Sequence, residues 1–193
     1  MIPLLVIRHA ATGWNADKRI QGRADIPLGE TGRAQARAAR LPRGWDAARC
    51  LSSPLSRALD TARLLGLDPH LEPRLIEMDW GEWEGRRLAE VRAELGSAMA
   101  ENEERGLDFR PPGGESPREV QIRLRSLLAE IAGPTIFVTH KGVLRALYAL
   151  ATGWNMRNKA PEKLAERCAH LFHVAPGGTL AVAELNIPLG PAP

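Results

Sequence analysis

The chain has 193 residues, 44% hydrophobic and 25% charged, with a formal net charge of +3. That length favours one domain over 1–193 with a sizeable core, and so mild a charge argues for neither nucleic acid nor a membrane surface as partner. Arg8 breaks the first apolar run after six residues, too early for a signal-peptide core or a membrane span.

Residues 2–7, "IPLLVI", predict a fully buried strand, apolar throughout and without alternation. The alanine- and arginine-rich stretch 30–41 predicts a helix with Thr31 as its cap. "AARCLSS" reads as a second strand leading into "PLSRALDTARLLG", where Ser53 is expected to cap, Pro54 to take the first helical position and Gly66 to close the helix. Residues 70–78 read as extended and 85–105 as charged and largely helical. Ser116, Pro117 and Glu119 form a capping box, after which Val120, Leu124, Leu127, Leu128 and Ile131 line one helical face.

"PTIFVTH" (134–140) predicts another buried strand, "GVLRALYALATG" a helix, and "HLFHV" and "LAVAEL" the closing strands. The tail "NIPLGPAP" reads as loose. Alternating strands and helices predict an α/β fold, a mainly parallel sheet with helices on both faces. Cys50 and Cys168 have no metal or redox spacing, which predicts inert buried thiols and a reducing, cytoplasmic location.

Open parallel sheets bind ligands beyond the carboxyl ends of their strands. Here one strand ends on Arg8-His9, a second hands over to a helix carrying Arg57, and a third ends on His140 before Lys141-Gly142 and a helix. Two arginines, two histidines and two helix N-termini would repel one another unless an anion joined them, and arginine forks match phosphate oxygens. A neutral imidazole at His9 would be a nucleophile toward phosphorus, with the surrounding cations spreading charge on the transferring group. "RLIEMDWGEWEG" adds Glu77, Asp79, Glu82 and Glu84, one of which, buried beside Trp80 or Trp83, would act first as acid and then as base.

At these residues the sequence resembles the histidine phosphatase superfamily, in the branch of cofactor-dependent phosphoglycerate mutases and small phosphatases. Five segments carry the likeness in order: "VIRHAATGWNADKRIQGRADIPLGETGRAQA", "LSSPLSRALDTA", "LIEMDWGEWEG", "PGGES" with its helix, and "VTHKGVLRAL". The resemblance implies a three-layer α/β/α sandwich of phosphoglycerate mutase-like fold. It implies His9 as the phosphorylated nucleophile, Arg8, Arg57 and His140 as phosphate grips, and Glu77 as proton donor. Asn15 matches a phosphate-contacting position and Gln21-Gly22 a substrate-side loop. No metal and no dissociable cofactor are implied.

Departures from the family pattern are Ala10 where glycine is usual, Ala11 where an acidic or amide residue is common, Lys141 where glycine is usual, and "ERCAHLFHV" before the last strand. A positive φ at Ala10 would strain its methyl group and predicts a shifted loop. Lys141 would reach an acidic substrate or extend into water. His170-x-x-His173 lacks acidic companions and reads as structural rather than as a metal site. Arg33, Arg37 and Arg40 at helical spacing read as a solvated face, not as a nucleic-acid surface.

The expected activity is hydrolysis of a small phosphomonoester through phospho-His9. The alternatives are phosphoglycerate mutase-type transfer, or a phosphate-ester-binding module without turnover. A modest Gly85–Arg110 segment and a short tail favour the phosphatase. Substrate walls are expected from the 85–112 region and the C-terminal third. The sequence identifies neither the substrate nor the oligomeric state.

Overall fold

Leu4 and Val6 of the first strand enter one hydrophobic cluster, and Leu5 and Ile7 enter another. Successive strand side chains point to opposite faces, so an unbroken apolar run needs cover on both sides. The computed structural model, which describes residues 1–190, provides that cover. One cluster is closed by Val120, Leu124 and Leu127 of one helix with Val143 and Leu147 of another, the other by Ala58 and Ala62 of a third. The result is the predicted three-layer α/β/α arrangement.

The strands are β1 (Ile2–Arg8), β2 (Arg49–Ser52), β3 (Pro69–Leu71), β4 (Thr135–Thr139), β5 (Cys168–Val174) and β6 (Leu180–Pro188), in the order β3-β2-β4-β1-β5-β6. β1 to β4 pair in parallel, while β5 runs antiparallel to β1 and β6 antiparallel to β5. The helices are α1 (Gly13–Ala16), α2 (Glu30–Ala38), α3 (Ser56–Leu64), α4 (Leu88–Leu95), α5 (Ser97–Glu104), α6 (Pro117–Ala129) and α7 (Lys141–Thr152). Among the described residues no helix is long and apolar enough to cross a membrane.

Several expectations need correction. α2 is capped at Gly29, leaving Thr31 inside the helix, and it stops at Ala38 because Ala39 is already extended ahead of Leu41-Pro42. α3 begins at Ser56, later than Ser53-Pro54 implied, and Asp25 caps it from a neighbouring loop. Asp25 Oδ1 accepts from both Ser56 N and Ser56 Oγ at 2.8 Å. Gly66 does end that helix region at φ +80°. Of the 70–78 stretch only His70 and Leu71 are strand, the end of β3 (Pro69–Leu71), before a 3₁₀ turn at Pro73–Leu75.

The 85–105 region is two helices parted by Gly96 at φ +52°. The capping box at Ser116 forms as read. Asn186 to Pro188 of the supposedly loose tail belong to β6, and residues 191–193 lie outside the described residues. Cys50 is buried, its thiol pushed up to about 12 by burial first and Asp68 second. Cys168, at the start of β5, is only half-buried, contrary to expectation.

Candidate active site

β2, β4 and β1 are neighbours in the sheet, so their carboxyl ends open side by side. His9 N donates to Thr139 O (2.9 Å) and Ser53 N to Val138 O (3.0 Å), fixing each chain as it leaves the sheet. The loop after β1 is pinned twice more: Ala10 N donates to Thr61 Oγ1 (3.0 Å), and Gly29 N to Ala11 O (3.1 Å). A Cβ on Gly32 would lie 1.9 Å from Ala11 O, so α2 can approach this loop only through a glycine. Ala10 is absent from the residues with positive φ, so the strain expected from its methyl group does not arise.

His9 is 7% exposed and its Nδ1 lies 2.7 Å from the carbonyl oxygen of Ala10. A carbonyl only accepts, so Nδ1 carries the proton and Nε2 keeps its lone pair. Burial, then Arg8 and Arg57, lower the pKa of this ring to about 3, so it is neutral at ordinary pH. A neutral ring with a free Nε2 has the form required of a nitrogen nucleophile.

His140 is fully buried, with its ring centroid 5.1 Å from that of His9. Its Nε2 lies 2.7 Å from Ser53 Oγ, which already accepts from Leu55 N at 3.3 Å. The hydroxyl proton is therefore free to go to Nε2. With that proton given to Nε2, the ring proton sits on Nδ1, a buried atom with no protein partner that can then donate to an anion. Burial, then His9 and Arg57, hold the pKa of His140 well below its ordinary value.

Arg57 is fully buried, and its fork is spent on backbone: Nη1 donates to Ala24 O and Nη2 to Gly22 O, both at 2.7 Å. Its Nε is buried without a partner. Burial lowers its pKa, while Glu77, Asp25 and Glu84 oppose the shift. The two accepting carbonyls are held by Glu84, whose Oε1 accepts from Arg23 N (2.6 Å) and Oε2 from Ala24 N (2.9 Å). Gly22, at φ +52°, leaves room for that carboxylate; a Cβ there would sit 1.8 Å from Glu84 Oε1. Gly22 therefore serves Arg57 through its carbonyl as well as lining the cleft.

Glu77 is 8% exposed, with Oε1 accepting from Met78 N (2.8 Å) and Oε2 from Gly142 N (3.1 Å) in the first turn of α7. A Cβ on Gly142 would approach Oε1 to 2.4 Å, so this glycine makes space for the carboxylate. Asp79 instead pairs with Arg23 at 3.3 Å. Arg8 Nη1 reaches Glu166 Oε1 at 2.5 Å, and its Nε is buried without a partner.

Arg8, His9, Arg57, Glu77, Asn15, Gln21, Gly22 and Lys141 line one cleft of about 1280 Å³. His140 lies beneath it, its ring tilted at 57° to that of His9. Asn15 Oδ1 is committed to Thr12 N (2.9 Å) in a capping box, which leaves the amide nitrogen as its available end. Gln21 Oε1 is buried without a partner. The walls come from α4, α5 and residues 156–166, as the sequence led us to expect. Trp80 and Trp83 pack on Phe109, each at 5.8 Å.

Sequence reasoning misassigned two contributors, Ser53 and Glu84, and missed two, Glu166 and Arg145. Ser53 was assigned a capping role, whereas it orients His140. Glu84 and Glu166 act through contacts 60 to 158 residues apart in sequence, which carry no local signal. Arg145 packs over Trp154 (4.7 Å) and lines the cleft; its position four residues after Lys141 on α7 is the signal that would have found it.

Three buried strand ends, two histidines held neutral and a set of unpaired buried N–H groups meet at this cleft. The chain belongs to the histidine phosphatase superfamily (branch 1), which it matches over residues 4–187. It is 35% identical over 165 residues to glucosyl-3-phosphoglycerate phosphatase of Mycobacterium tuberculosis, covering 76% of this chain and 73% of that one. It is 36% identical over 162 residues to 2,3-bisphosphoglycerate-dependent phosphoglycerate mutase 2 of Gloeobacter violaceus, covering 76% and 74%. The structure of a mycobacterial glucosyl-3-phosphoglycerate phosphatase complexed with VO3 matches at a TM-score of 0.81 and 29% identity, over 97% of this chain and 100% of that one. The protein is an enzyme acting on phosphate esters.

Proposed function

We propose that this enzyme is a metal-independent phosphatase that hydrolyses small phosphomonoesters through a phosphohistidine on His9, with Glu77 as general acid and then base. The observation that carries the reading is the state of His9: Nδ1–H tied to Ala10 O, Nε2 free, and the ring held neutral among cations.

In the first step His9 Nε2 attacks phosphorus, the N–P bond forms and the ester O–P bond breaks. The leaving oxygen takes the electron pair and accepts a proton from Glu77. Arg8, the Arg57 Nε–H and the His140 Nδ1–H supply donors to the equatorial oxygens, where charge accumulates in a preformed site. In the second step Glu77 removes a proton from water, the resulting hydroxide attacks phosphorus, and the N–P pair returns to Nε2. Asn15 and Gln21 would contact the phosphoryl group and the substrate-side loop. The basic wall formed by Lys141, Arg145, Arg157 and Lys159 suits an ester with further negative charge, in keeping with relatives named for phosphoglycerates.

Retaining the phosphoryl group for a mutase reaction requires excluding water from phospho-His9. The breadth of the cleft favours hydrolysis. The test is hydrolysis of an aryl phosphate in excess EDTA by the wild type and His9→Ala. Turnover that survives chelation and is lost in the variant supports the reading; equal turnover by the variant overturns it.

A further inference from the structure

Arg8 already holds a carboxylate. Its Nη1 lies 2.5 Å from Glu166 Oε1, and its side chain is 16% exposed while that of Glu166 is 75% exposed. Glu166 reaches in from the irregular segment before β5, and it lines the cleft together with Arg8, His9 and Lys141. Lys141 and Lys163, which also line the cleft, favour its charged form after Arg8 itself.

We propose that Glu166 is a selectivity residue: an internal carboxylate that occupies Arg8 in the empty site and competes with the phosphoryl group for it. The inference rests on the phosphate-site reading above, but not on turnover. An incoming phosphate dianion must exchange with Glu166 or sit beside its negative charge, and either weakens anion binding. Simple anions that depend on Arg8 are penalised most. Esters with further contacts along Lys141 and Arg145 have other sources of affinity. The same competition would hasten departure of inorganic phosphate after hydrolysis.

The test is phosphate binding alone, measured by calorimetric titration of wild type and Glu166→Gln. Glutamine keeps the length of the side chain and removes its charge. An exposed ion pair is worth up to about 1 kcal/mol, so the variant is expected to bind phosphate roughly three- to fivefold more tightly at low salt. That gap should narrow at 0.5 M salt (about a 4 Å screening length), where Glu166 is screened. With an aryl phosphate, KM should fall in parallel.

Unchanged or weaker phosphate binding by Glu166→Gln would overturn the proposal, weaker binding meaning that Glu166 positions Arg8 for the anion. A variant whose melting temperature drops markedly would be replaced by Glu166→Ala in the same titration. If neither protein hydrolyses esters but the variant binds phosphate more tightly, the phosphatase reading fails and this one stands. If neither protein binds phosphate, both fail.

Discussion

The floor of the cleft and its walls are built from different material. The floor hangs on the ends of β1, β2 and β4, with His9, Ser53, Arg57 and His140 all under a tenth exposed; His9, Ser53 and Arg57 are fixed by hydrogen bonds to backbone and His140 by one to Ser53 Oγ. The walls run through α4, α5 and residues 156–166, where side chains are mostly exposed or half-exposed and many charges face the cleft. A rigid floor with its donors already in place suits the one chemical group shared by every phosphomonoester. Walls attached by few contacts can vary without disturbing it. The comparison assigns rate to the floor and selectivity to the walls.

The largest expected effect is on the floor. Glu77→Gln should lower kcat by about 10²–10⁴ with an alkyl phosphate, whose leaving oxygen needs a proton. The loss should be much smaller with an aryl phosphate of good leaving ability, and steady-state assays of the two esters read the contrast. An equal loss with both would mean that Glu77 does not protonate the leaving group.

One step out, Glu84→Gln should loosen the Gly22–Ala24 carbonyls that hold Arg57. A small displacement of a gripping side chain can cost about 10²-fold, so kcat/KM should fall by roughly 10- to 100-fold. A purely structural role would lower the melting temperature and leave the kinetics of the folded fraction unchanged. Gly22→Ala, which drives a methyl group into Glu84, should reproduce the kinetic defect.

On the wall, Lys141→Ala or Arg145→Ala should raise KM by about 3- to 10-fold for an ester bearing a second negative charge, with kcat held within about twofold. The same variants should turn over an aryl phosphate monoester with no charge beyond its phosphoryl group almost normally. A fall in kcat would move these residues to the floor.

The smallest effect concerns pH. His9 has its pKa depressed from 6.5 to about 3, so the nucleophile does not titrate between pH 7 and 5, and no loss of kcat/KM over that range should trace to it. The same shift has a cost in stability. A depressed pKa stabilises fully above the unfolded value and loses that contribution as pH falls from 6.5 toward 3. Urea unfolding should therefore show the wild type losing stability across this window more steeply than His9→Asn.

The same division explains what was legible in the sequence. Arg8, His9, Arg57 and His140 could be read because each follows or ends an apolar strand, and strand ends in a parallel sheet converge. The sheet itself was legible from unbroken apolar runs such as "IPLLVI" and "TIFVT". Helix starts were less so: α3 depends on Asp25, a residue 31 positions away, and Ser53 proved to serve His140. Glu84 under Gly22 and Glu166 on Arg8 come from contacts made only once the chain has folded. Strain at Ala10 hung on a positive φ, and a residue type does not reveal its backbone angles.

The central claim is tested most directly by mixing enzyme with a phosphomonoester, quenching in alkali to preserve phosphohistidine, and locating the phosphoryl group by peptide mapping. The account predicts a phosphoryl group on His9 that appears before inorganic phosphate and is absent from His9→Ala. A phosphoryl group on any other residue, or wild-type turnover by His9→Ala, would contradict it.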